Sequence, residues 1–363
     1  MSFKVIAPLP CAKKRIRLKK LIDFKSSLNE KTYFFGWNRE NNEIEYDDEL
    51  YQRKFILSGG GYVNKKARLM YIIWFFSVLK LCLSFKKGDV VWVLGFESTL
   101  PALIVSKIKG FKVIFDDADR FSYLFNQNSK FIRIVRYFEY LASSVSLLHI
   151  IPCFERYEFK TKKMFILKNT PEKKEVQKAK EIDISENILN FRNRFEKVIY
   201  INGWLTKTRG MAQVLHLAKQ KNIGLLIAGK SDSDYIDKLS ILENVLYVGE
   251  LSSIDALSLY RVSDFVLTYY DPAIYINRFA ESNKWGDAIE MNTPIIVNSE
   301  VVTAKFIKDN GCCISVPYNE TKELIIQINN TNTFYLRERM AFLSNQIKCF
   351  EEQLRTLFSK VGI

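Results

Sequence analysis

Residues 281–298 carry the sequence Glu281-Ser-Asn-Lys-Trp-Gly-Asp-Ala-Ile-Glu-Met-Asn-Thr-Pro-Ile-Ile-Val-Asn298, which predicts a loop, a helix, a tight turn and a strand in that order. Asn283 is a predicted N-cap, because its side chain can accept a hydrogen bond from an early helix N–H group. Pro294 ends the helix, since proline cannot continue it and favours extended backbone in the residue before it. The apolar, β-branched run 294–297 is typical of a buried parallel strand.

A polar loop that leads into a helix is a place where anions bind, because free N–H groups and the helix dipole point outward there. Lys284 and Asp287 lie on the first turns of this helix, three residues apart and on one face. A cation suits phosphate and a carboxylate suits ribose hydroxyls, so the pair predicts a nucleotide site. An ordinary α/β crossover with a surface lysine and aspartate is the alternative that the spacing leaves open.

Length and composition limit the class of protein. A chain of 363 residues is too long for one ordinary core, which favours two domains. A hydrophobic content of 48% and an aromatic content of 14% favour a packed globular protein over a disordered one. The first residues resemble a strand and lack the features of a signal peptide. Six cysteines without a CxxC pair suit a reducing cytosol.

Charge and histidine content limit the partners and the chemistry. The formal net charge of +14 favours nucleic acid, an anionic membrane or phosphorylated substrates as partners. The two histidines, His149 and His216, both lie in apolar segments. A zinc site and a Ser-His-Asp triad are therefore not expected.

Strand-like and helix-like segments alternate along the chain, which predicts an α/β protein with mostly parallel, doubly wound sheets. The pattern runs once to about residue 168 and restarts at 197, so two Rossmann-like domains are expected, facing each other across a ligand cleft. The predicted strands are 3–7, 32–37, 54–57, 89–94, 112–116, 146–152, 164–168, 197–202, 223–228, 244–248, 264–268, 294–297 and 312–316.

Domain boundaries follow from the same pattern. The first domain is predicted over 1–172 and the second over 196–335. The charged stretch 173–195 lacks a strand and is predicted as a linker that contains a helix. The last stretch, 336–363, is predicted as a C-terminal helix that packs back on the first domain. The apolar segment 69–85 contains Lys80 and is predicted as a buried or membrane-facing amphipathic helix, since it is marginal in length for a membrane span.

Several blocks of the chain resemble glycosyltransferases of the GT-B fold, in particular glycosyltransferase family 4. The resemblance extends over nearly the whole chain and is most specific in the second half. The blocks that carry it are Gly95–Leu103 with Lys112–Asp116, Lys168–Pro171, Val198–Gly210, Asn244–Leu251 with Ala256–Tyr260 and Ser263–Leu267, and Asn283–Val297.

The resemblance implies a set of donor-binding residues in the second domain. It implies that Gly203 lets the backbone approach the donor phosphates, and that Arg209 and Lys207 bind them. It implies that Asp287 binds the ribose. The remaining implied contacts, from the helix start and the acid before it, are Asn283, Lys284 and Glu281.

Four positions depart from the family pattern. Asp287 is a shorter acid than the glutamate that the family has at this position. Trp204 stands where an arginine is usual, Phe279 where an acid is usual, and Ala118 where many members have a histidine. These departures affect the sugar side of the site more than the nucleotide side.

The resemblance also implies a retaining transfer from a nucleotide sugar, with UDP as the family's usual nucleotide and no metal or other cofactor. Lys207, Arg209 and Lys284 can neutralise a diphosphate leaving group without a metal. Asp119 and Asp116 are the predicted catalytic acids. Asp117-Ala-Asp119 also spells DxD, so a metal-dependent GT-A-like transferase is an alternative.

Basic and aromatic residues of the first domain predict the acceptor side. Such surfaces bind anionic membranes reversibly. The interpretation is an enzyme of the cytoplasm, at the inner face of the plasma membrane, acting on a glycan or polyprenyl-linked glycan of a bacterial capsule, O-antigen or exopolysaccharide. The residues predicted to contact acceptor or membrane are Lys13, Lys14, Arg15, Arg133 and Arg136.

Three other classes of function stay open at this point. A nucleic-acid binder would explain the charge, but the chain has no reading motif and its basic residues are dispersed, so no nucleic-acid partner is expected. A non-catalytic GT-B scaffold would explain the departures from the family pattern. A GT-B sugar-nucleotide epimerase would act without an acceptor.

Overall fold

The computed structural model describes residues 2–40, 50–62, 65–125, 127–231 and 234–362, with the backbone alone for 65–68. The chain divides into two compact units. The first comprises Met1–Leu167 with Gln353–Ile363, and the second comprises Lys168–Glu352.

The first unit is built on a sheet of seven parallel strands in the order β3-β2-β1-β4-β5-β6-β7. The strands are β1 (Ser2–Ile6), β2 (Lys31–Asn38), β3 (Gln52–Ser58), β4 (Val90–Leu94), β5 (Lys112–Asp116), β6 (Leu148–Ile151) and β7 (Met164–Ile166). The helices between them are α1 (Ile16–Ser27), α2 (Lys65–Cys82), α3 (Phe96–Lys109) and α4 (Lys130–Val145).

The second unit is built on six parallel strands in the order β10-β9-β8-β11-β12-β13. The strands are β8 (Lys197–Asn202), β9 (Ile223–Ala228), β10 (Val245–Tyr247), β11 (Phe265–Thr268), β12 (Ile295–Asn298) and β13 (Cys313–Val316). The later helices are α5 (Lys173–Glu181), α6 (Glu186–Asn193), α7 (Met211–Leu217), α8 (Tyr235–Ser240), α9 (Ser253–Ser258), α10 (Asn283–Glu290), α11 (Lys305–Asp309), α12 (Thr321–Asn330), α13 (Thr333–Ser344) and α14 (Phe350–Val361).

Both sheets are buried on both faces, as all-parallel sheets must be. In the first unit, α2, α3 and α4 contribute to one core with Val91, Val93 and Val113. The opposite face holds an aromatic cluster, in which Phe358 of α14 stacks on Phe24 of α1 with 5.9 Å between ring centroids. This arrangement confirms the predicted doubly wound, parallel α/β architecture.

The structure gives more detail for two of the predicted segments. Residues 173–195, predicted as a linker that contains a helix, form the two helices α5 and α6, and Val176, Ala179 and Phe191 from these helices lie in the core of the second unit. Their apolar residues are too few to stand out in so charged a stretch, yet helical spacing places them on one buried side. The stretch 336–363, predicted as helical, contains most of α13, which begins at Thr333, and all of α14.

The apolar segment around residues 69–85 forms most of α2. Trp74, Val78 and Cys82 are fully buried, whereas Leu69 and Phe76 are about 60% exposed (59% and 61%). Among the residues that the structure describes, no helix is both long and apolar enough to cross a bilayer.

Candidate functional site

The strand order of the second unit reverses between β8 and β11, and ligands of open α/β sheets bind outside the carboxyl ends of such a strand pair. The loops that follow these two strands are joined by a hydrogen bond from the N–H of Asp271 to the carbonyl of Thr208, at 3.0 Å. Gly210 lies where the loops pass, and a Cβ at this position would meet the Cβ of Tyr269 at 2.6 Å. The two loops that border the crevice are therefore fixed to each other by this hydrogen bond and by their close packing at Gly210.

Two further glycines, Gly203 and Gly229, form the floor of this crevice. Gly203 follows β8 directly and has a φ of +91°, while Gly229 follows β9 with a φ of +125°. A Cβ at Gly229 would collide with the backbone of Gly203, so only glycine allows the two loops to touch. The Tyr247 hydroxyl donates to the Gly229 carbonyl at 2.8 Å and holds this contact. Gly203 itself is exposed, with its N–H group donating to the carbonyl of Ala228 at 3.0 Å, so this position leaves space for a ligand.

Two cationic side chains converge on this floor. Arg209 stands with its guanidinium carbon 4.6 Å from the centroid of the Tyr270 ring, a cation–π distance. Lys284 reaches back from α10, and its Nζ lies 4.0 Å from the position that a Cβ would take at Gly203. Burial and the nearby Arg209 lower the pKa of Lys284 to about 8, against the opposing effect of Asp287. Two mutually repelling cations beside an exposed backbone form a place suited to a diphosphate.

Helix α10 is anchored so that its N-terminus faces the same crevice. The Trp285 indole donates to the hydroxyl of Thr268 on β11 at 3.0 Å and is fully buried. The helix begins at Asn283, and Ser282 occupies the N-cap position with no side-chain cap hydrogen bond. The prediction of Asn283 as N-cap is wrong by one residue, because the preceding extended residue, Ser282, already makes the turn into the helix.

Polar groups beneath the cations extend the site toward β8. Asp287 is half-buried, and its charge contributes to raising the pKa values of Tyr200 and Tyr260, mainly raised by burial. The amide nitrogen of Asn202 donates to the Tyr260 hydroxyl at 3.3 Å. Within the described part of the chain, the side-chain oxygen of Asn202 is buried without a hydrogen-bond partner. Asp287 and Asn202 thus offer acceptors for the hydroxyls of a ligand.

Most of the predicted donor-binding residues lie in or beside this crevice. Gly203, Arg209, Lys284 and Asp287 are brought together, and exposed Asn283 is the first residue of α10. Exposed Lys207 shares a short 3-10 helix with Arg209. The assignment of ligand contacts to these residues stays a prediction.

Glu281 has a different setting from the other donor-binding residues. Its carboxylate lies 3.4 Å from the Nζ of Lys168, which also sits 3.6 Å from the centroid of the Phe306 ring. The Glu281 side chain is 5% exposed. Its carboxylate is therefore engaged with a lysine of its own unit.

Two residues of the crevice were missed by sequence reasoning. Tyr270 follows β11, and its backbone N–H donates to the Asn298 side chain at 2.9 Å. Asn202 is the last residue of β8. The sequence could have indicated both residues, because each lies at or just after the carboxyl end of an apolar strand. Side chains at the carboxyl ends of parallel strands line the ligand crevice.

In the first unit, the two predicted catalytic acids have different surroundings. Asp116 is fully buried, accepts from Arg17 at 2.7 Å and accepts from the Trp92 indole at 3.0 Å. Asp119 is 42% exposed and pairs with Arg15 at 2.7 Å. Burial opposes ionisation of Asp119, but Arg15 and Arg156 outweigh it and hold the pKa of this carboxyl below its usual range.

Asp117 lies in the interior between these two acids. It is fully buried and accepts from the Tyr157 hydroxyl at 2.7 Å. His149 is also fully buried, stacks on Phe115 and bonds to Ser143 at 2.8 Å, as a core histidine does. Asp117 and Asp119 therefore do not point to one shared place, as a DxD metal motif requires. Groups of three or more potential metal ligands do not occur among the described residues.

The predicted acceptor or membrane residues lie on two parts of the first unit, the segment just before α1 and helix α4. Lys13 and Lys14 are exposed in the turn before α1, and Arg15 is the residue paired with Asp119. On α4, Arg133 is exposed, whereas Arg136 donates to Gln127 at 2.7 Å.

One further acid lies at the switch point of the first sheet, where the strand order reverses between β1 and β4. Glu97 is half-buried on the first turn of α3 and folds over Gly95, whose φ is +79°. Burial raises the pKa of Glu97 to about 7, with its own backbone N–H opposing the change and Asp117 adding to it. Sequence reasoning missed Glu97, which appeared only as the start of a helix.

The chain is similar throughout its length to solved structures of low sequence identity. Anabaena HepE in complex with UDP matches with a TM-score of 0.72 and 11% identity, over 100% of both chains. Trehalose-6-phosphate synthase from E. coli bound with UDP-2-fluoro glucose matches with a TM-score of 0.69 and 10% identity, over 99% of both chains. The UDP-forming α,α-trehalose-phosphate synthase from Burkholderia xenovorans in complex with glucose-6-phosphate matches with a TM-score of 0.67 and 9% identity, over 100% of both chains.

The fold is GT-B. This confirms the predicted fold class and excludes the single-domain GT-A alternative. No family model matches the chain, and no curated protein matches it significantly. Membership of family 4 stays a prediction.

Proposed function

We propose that the chain is a retaining, metal-independent glycosyltransferase that uses a nucleotide-sugar donor. The observation that carries the proposal is the convergence of Arg209 and Lys284 on the exposed backbone at Gly203, beside the uncapped N-terminus of α10. Such an arrangement neutralises a diphosphate, which is the leaving group when a sugar is transferred from a nucleotide sugar.

The residues have distinct roles in the proposed mechanism. As the bond between the sugar and the diphosphate breaks, negative charge grows on the leaving phosphate oxygen. Arg209, Lys284 and the N–H groups of α10 stabilise that charge in place, without reorganising. Asp287 and Asn202 accept hydrogen bonds from the hydroxyls of the donor. Charge stabilisation by two cations makes a bound metal unnecessary at this step.

Uridine is the proposed base of the donor. The support comes from similar structures, two of which contain UDP or a UDP sugar. A third similar protein, a trehalose-6-phosphate synthase, is described in work on glycosyltransfer with retention, which supports the stereochemical outcome. These likenesses are fold-level, so the base and the stereochemistry are proposals for this chain.

The first unit is the proposed acceptor side, with Asp119 and Arg15 at its surface. The acceptor is proposed to be a glycan or a polyprenyl-linked glycan of a bacterial surface polysaccharide. A similar structure, a UDP-forming α,α-trehalose-phosphate synthase, is in complex with glucose-6-phosphate, which supports a sugar or sugar derivative as the acceptor class. Asp119 would hold the acceptor hydroxyl or stabilise the cationic sugar centre, and Asp116 would hold this region of the unit in place through Arg17.

The test is a thermal-shift panel of UDP, GDP, ADP and CMP on the native chain and on three variants. A ligand that binds only the native state raises the Tm by mass action. UDP is expected to raise the Tm of the native chain and of Lys219→Ala, an exposed lysine outside the crevice. The shift should disappear in Arg209→Ala and Lys284→Ala. A shift with another base would overturn the uridine assignment, and no shift with any nucleotide would overturn the donor site.

Turnover separates an enzyme from a scaffold. Incubation with UDP sugars and a chelator should release UDP, by transfer or by slow hydrolysis. Nucleotide binding with no release from any donor would favour the non-catalytic scaffold, to which the exposed Trp204 at an expected arginine position lends support. Release that stops with chelator and resumes with a divalent metal would overturn metal independence. Conversion of the nucleotide sugar to its epimer would favour the epimerase.

A further inference from the structure

Helices α2, α3 and α4 of the first unit each bury one side in the core of that unit and expose apolar side chains on the opposite side. On α2 the exposed stripe is Leu69, Ile72 and Phe76, which follow the i, i+3, i+7 spacing of one helix face. Phe131, Ile134 and Phe138 repeat that spacing on α4. These six side chains are between 41% and 61% exposed.

Helix α3 lies between the other two and continues the surface. It packs against both α2 and α4, and its outer face carries Ile104 and Ile108, which are 47% and 79% exposed. All three helices rest on the same face of the first sheet and share one core. Their outer faces therefore form one surface, which we call the apolar face of the first unit. Exposed apolar patches rimmed by polar residues mark sites that bind proteins, ligands or membranes.

Among the described residues, the exposed charges that the three helices carry are all positive, although Glu158, which is 52% exposed and outside these helices, lies 3.5 Å from Arg136 of α4. Sequence alone shows that α2 contains no acidic residue. The acids of α3 and α4 are not on the outer surface, because Glu97 folds over Gly95 and Glu139 is buried against Arg120 at 3.0 Å. The exposed charged side chains of the three helices, within the described residues, are Lys80, Lys107, Lys109, Lys130 and Arg133.

We propose that the apolar face of the first unit docks on a bilayer that contains anionic phospholipid. Apolar side chains enter the boundary between headgroups and acyl chains, and lysine and arginine at the same level bind lipid phosphates. Tyr137 and Tyr140, which are 59% and 43% exposed on α4, suit the headgroup level because their rings have an apolar body and a polar tip. A second copy of the chain fits less well, since pairing this face with itself would bring like charges together.

The surface is broader than the basic residues that the sequence singled out. Lys13 and Lys14 precede α1, the helix that connects β1 to β2 and is not part of the apolar face. The proposed face consists of α2, α3 and α4, and only α4 carries basic residues that the sequence singled out. Vesicle binding does not require transfer activity, and the variants below assign it to this surface, so the proposal stands or fails independently of the proposed function.

The test is co-sedimentation of the full chain with vesicles of phosphatidylcholine, with and without phosphatidylglycerol, at low and high salt. The apolar variant replaces one exposed residue on each helix, as Phe76→Ser, Ile108→Ser and Ile134→Ser. Its matched control replaces exposed apolar residues of the second unit, as Ile241→Ser, Phe334→Ser and Phe342→Ser, which are 80%, 60% and 63% exposed. A charge variant, Lys80→Gln with Lys107→Gln and Arg133→Gln, is matched by Lys219→Gln with Lys221→Gln and Lys322→Gln, all exposed.

The native chain is expected to bind vesicles that contain phosphatidylglycerol at low salt, and less at high salt. Apolar and charge variants should each bind at least about tenfold more weakly, while both controls bind as the native chain does. Light scattering after gel filtration gives the oligomeric state of each protein. No binding by the native chain, equal loss in variant and control, or a dimer that the apolar variant dissociates would overturn the proposal.

Discussion

The guanidinium of Arg209 lies over the ring of Tyr270, with 4.6 Å between the guanidinium carbon and the ring centroid. The two residues follow β8 and β11, which pair side by side at the switch point of the second sheet. Tyr270 is almost fully buried, so its ring is a fixed surface against which the exposed Arg209 side chain packs. The contact positions Arg209, the proposed phosphate-binding cation, at the crevice.

Removing the aromatic ring should therefore weaken nucleotide binding without removing a charge. Cation–π contacts at partly exposed sites contribute about 0.5–1 kcal/mol, so Tyr270→Leu should raise the Kd for UDP about two- to fivefold. Tyr270→Phe keeps the ring and should bind as the native chain does. Isothermal titration calorimetry gives both values. Equal weakening in the two variants would show that the hydroxyl, and not the ring face, supports Arg209.

The contact between Gly229 and Gly203 makes a prediction about stability. Gly229→Ala should be strongly destabilising, because the new methyl group would occupy the backbone of Gly203 and an L residue at φ +125° is strained. Gly249→Ala is the matched control, since Gly249 has a φ of +79° and nothing within 4 Å of an added Cβ. The control should cost about 1–2 kcal/mol for its backbone alone, and Gly229→Ala several kcal/mol more. Urea unfolding measures the difference, and equal losses would contradict the predicted collision.

The strands and the order of elements could be predicted from the sequence, because a parallel sheet buried on both faces needs continuous apolar runs. Lys284 and Asp287 could be placed together as well, since helical geometry alone sets residues three apart on one face. Glycines that directly follow strands could also be used to predict the site, because a glycine at such a position indicates that the backbone needs a positive φ or a close approach there.

Long-range pairing could not be predicted in this way. Arg209 meets Tyr270 only because β11 lies beside β8, and no local pattern states which strands become neighbours. Asp116 and Asp119 are three residues apart, yet one is buried with Arg17 and the other is half-exposed with Arg15. Their difference depends on residues about a hundred positions away in the chain, the Arg17 to Asp116 separation being 99.

The settings of Asp116 and Asp119 predict opposite results for two conservative substitutions. Asp116→Asn leaves Arg17 buried without a carboxylate, and breaking a buried pair destabilises by about 3–5 kcal/mol. Asp119→Asn removes a half-exposed pair, which contributes about 0–1 kcal/mol, so the fold should be retained. Under the proposed function, Asp119→Asn should lower kcat at least about tenfold. Unchanged turnover in a folded Asp119→Asn protein would remove Asp119 from the mechanism.

Nucleotide binding should depend on pH through Lys284. Its pKa of about 8 means that the ammonium is charged at pH 7 and loses its proton as the pH rises through 8. Hydrogen bonds from charged groups contribute about 1.5–3 kcal/mol, and a group with a pKa of about 8 loses most of its charge between pH 7 and 9, so the Kd for UDP should rise by up to about tenfold over this range. Lys284→Arg keeps the charge over this range, and its Kd should change much less. The same pH dependence in both proteins would assign the titration to another group.

The stability of the chain should also depend on pH, in this case through Glu97. Its pKa is raised from the ordinary value of 4.5 to about 7, so the folded state holds a proton that the unfolded state has released over this interval. Stability contributed by this group is therefore present below pH 4.5 and is lost as the pH rises from 4.5 to 7, by about 2–3 kcal/mol.

Glu97→Gln removes the ionisable group and isolates this effect. Relative to the native chain, the variant should gain free energy of unfolding between pH 5 and pH 8 by about 2 kcal/mol, because glutamine carries no charge to bury. Urea unfolding of both proteins across this range gives the difference directly, with contributions from all other groups cancelled. A difference that does not change with pH would show that Glu97 ionises normally. A carboxyl that weakens the folded state near pH 7 is typical of a functional site, and its place at the switch point of the first sheet makes Glu97 the first acid to test against acceptors.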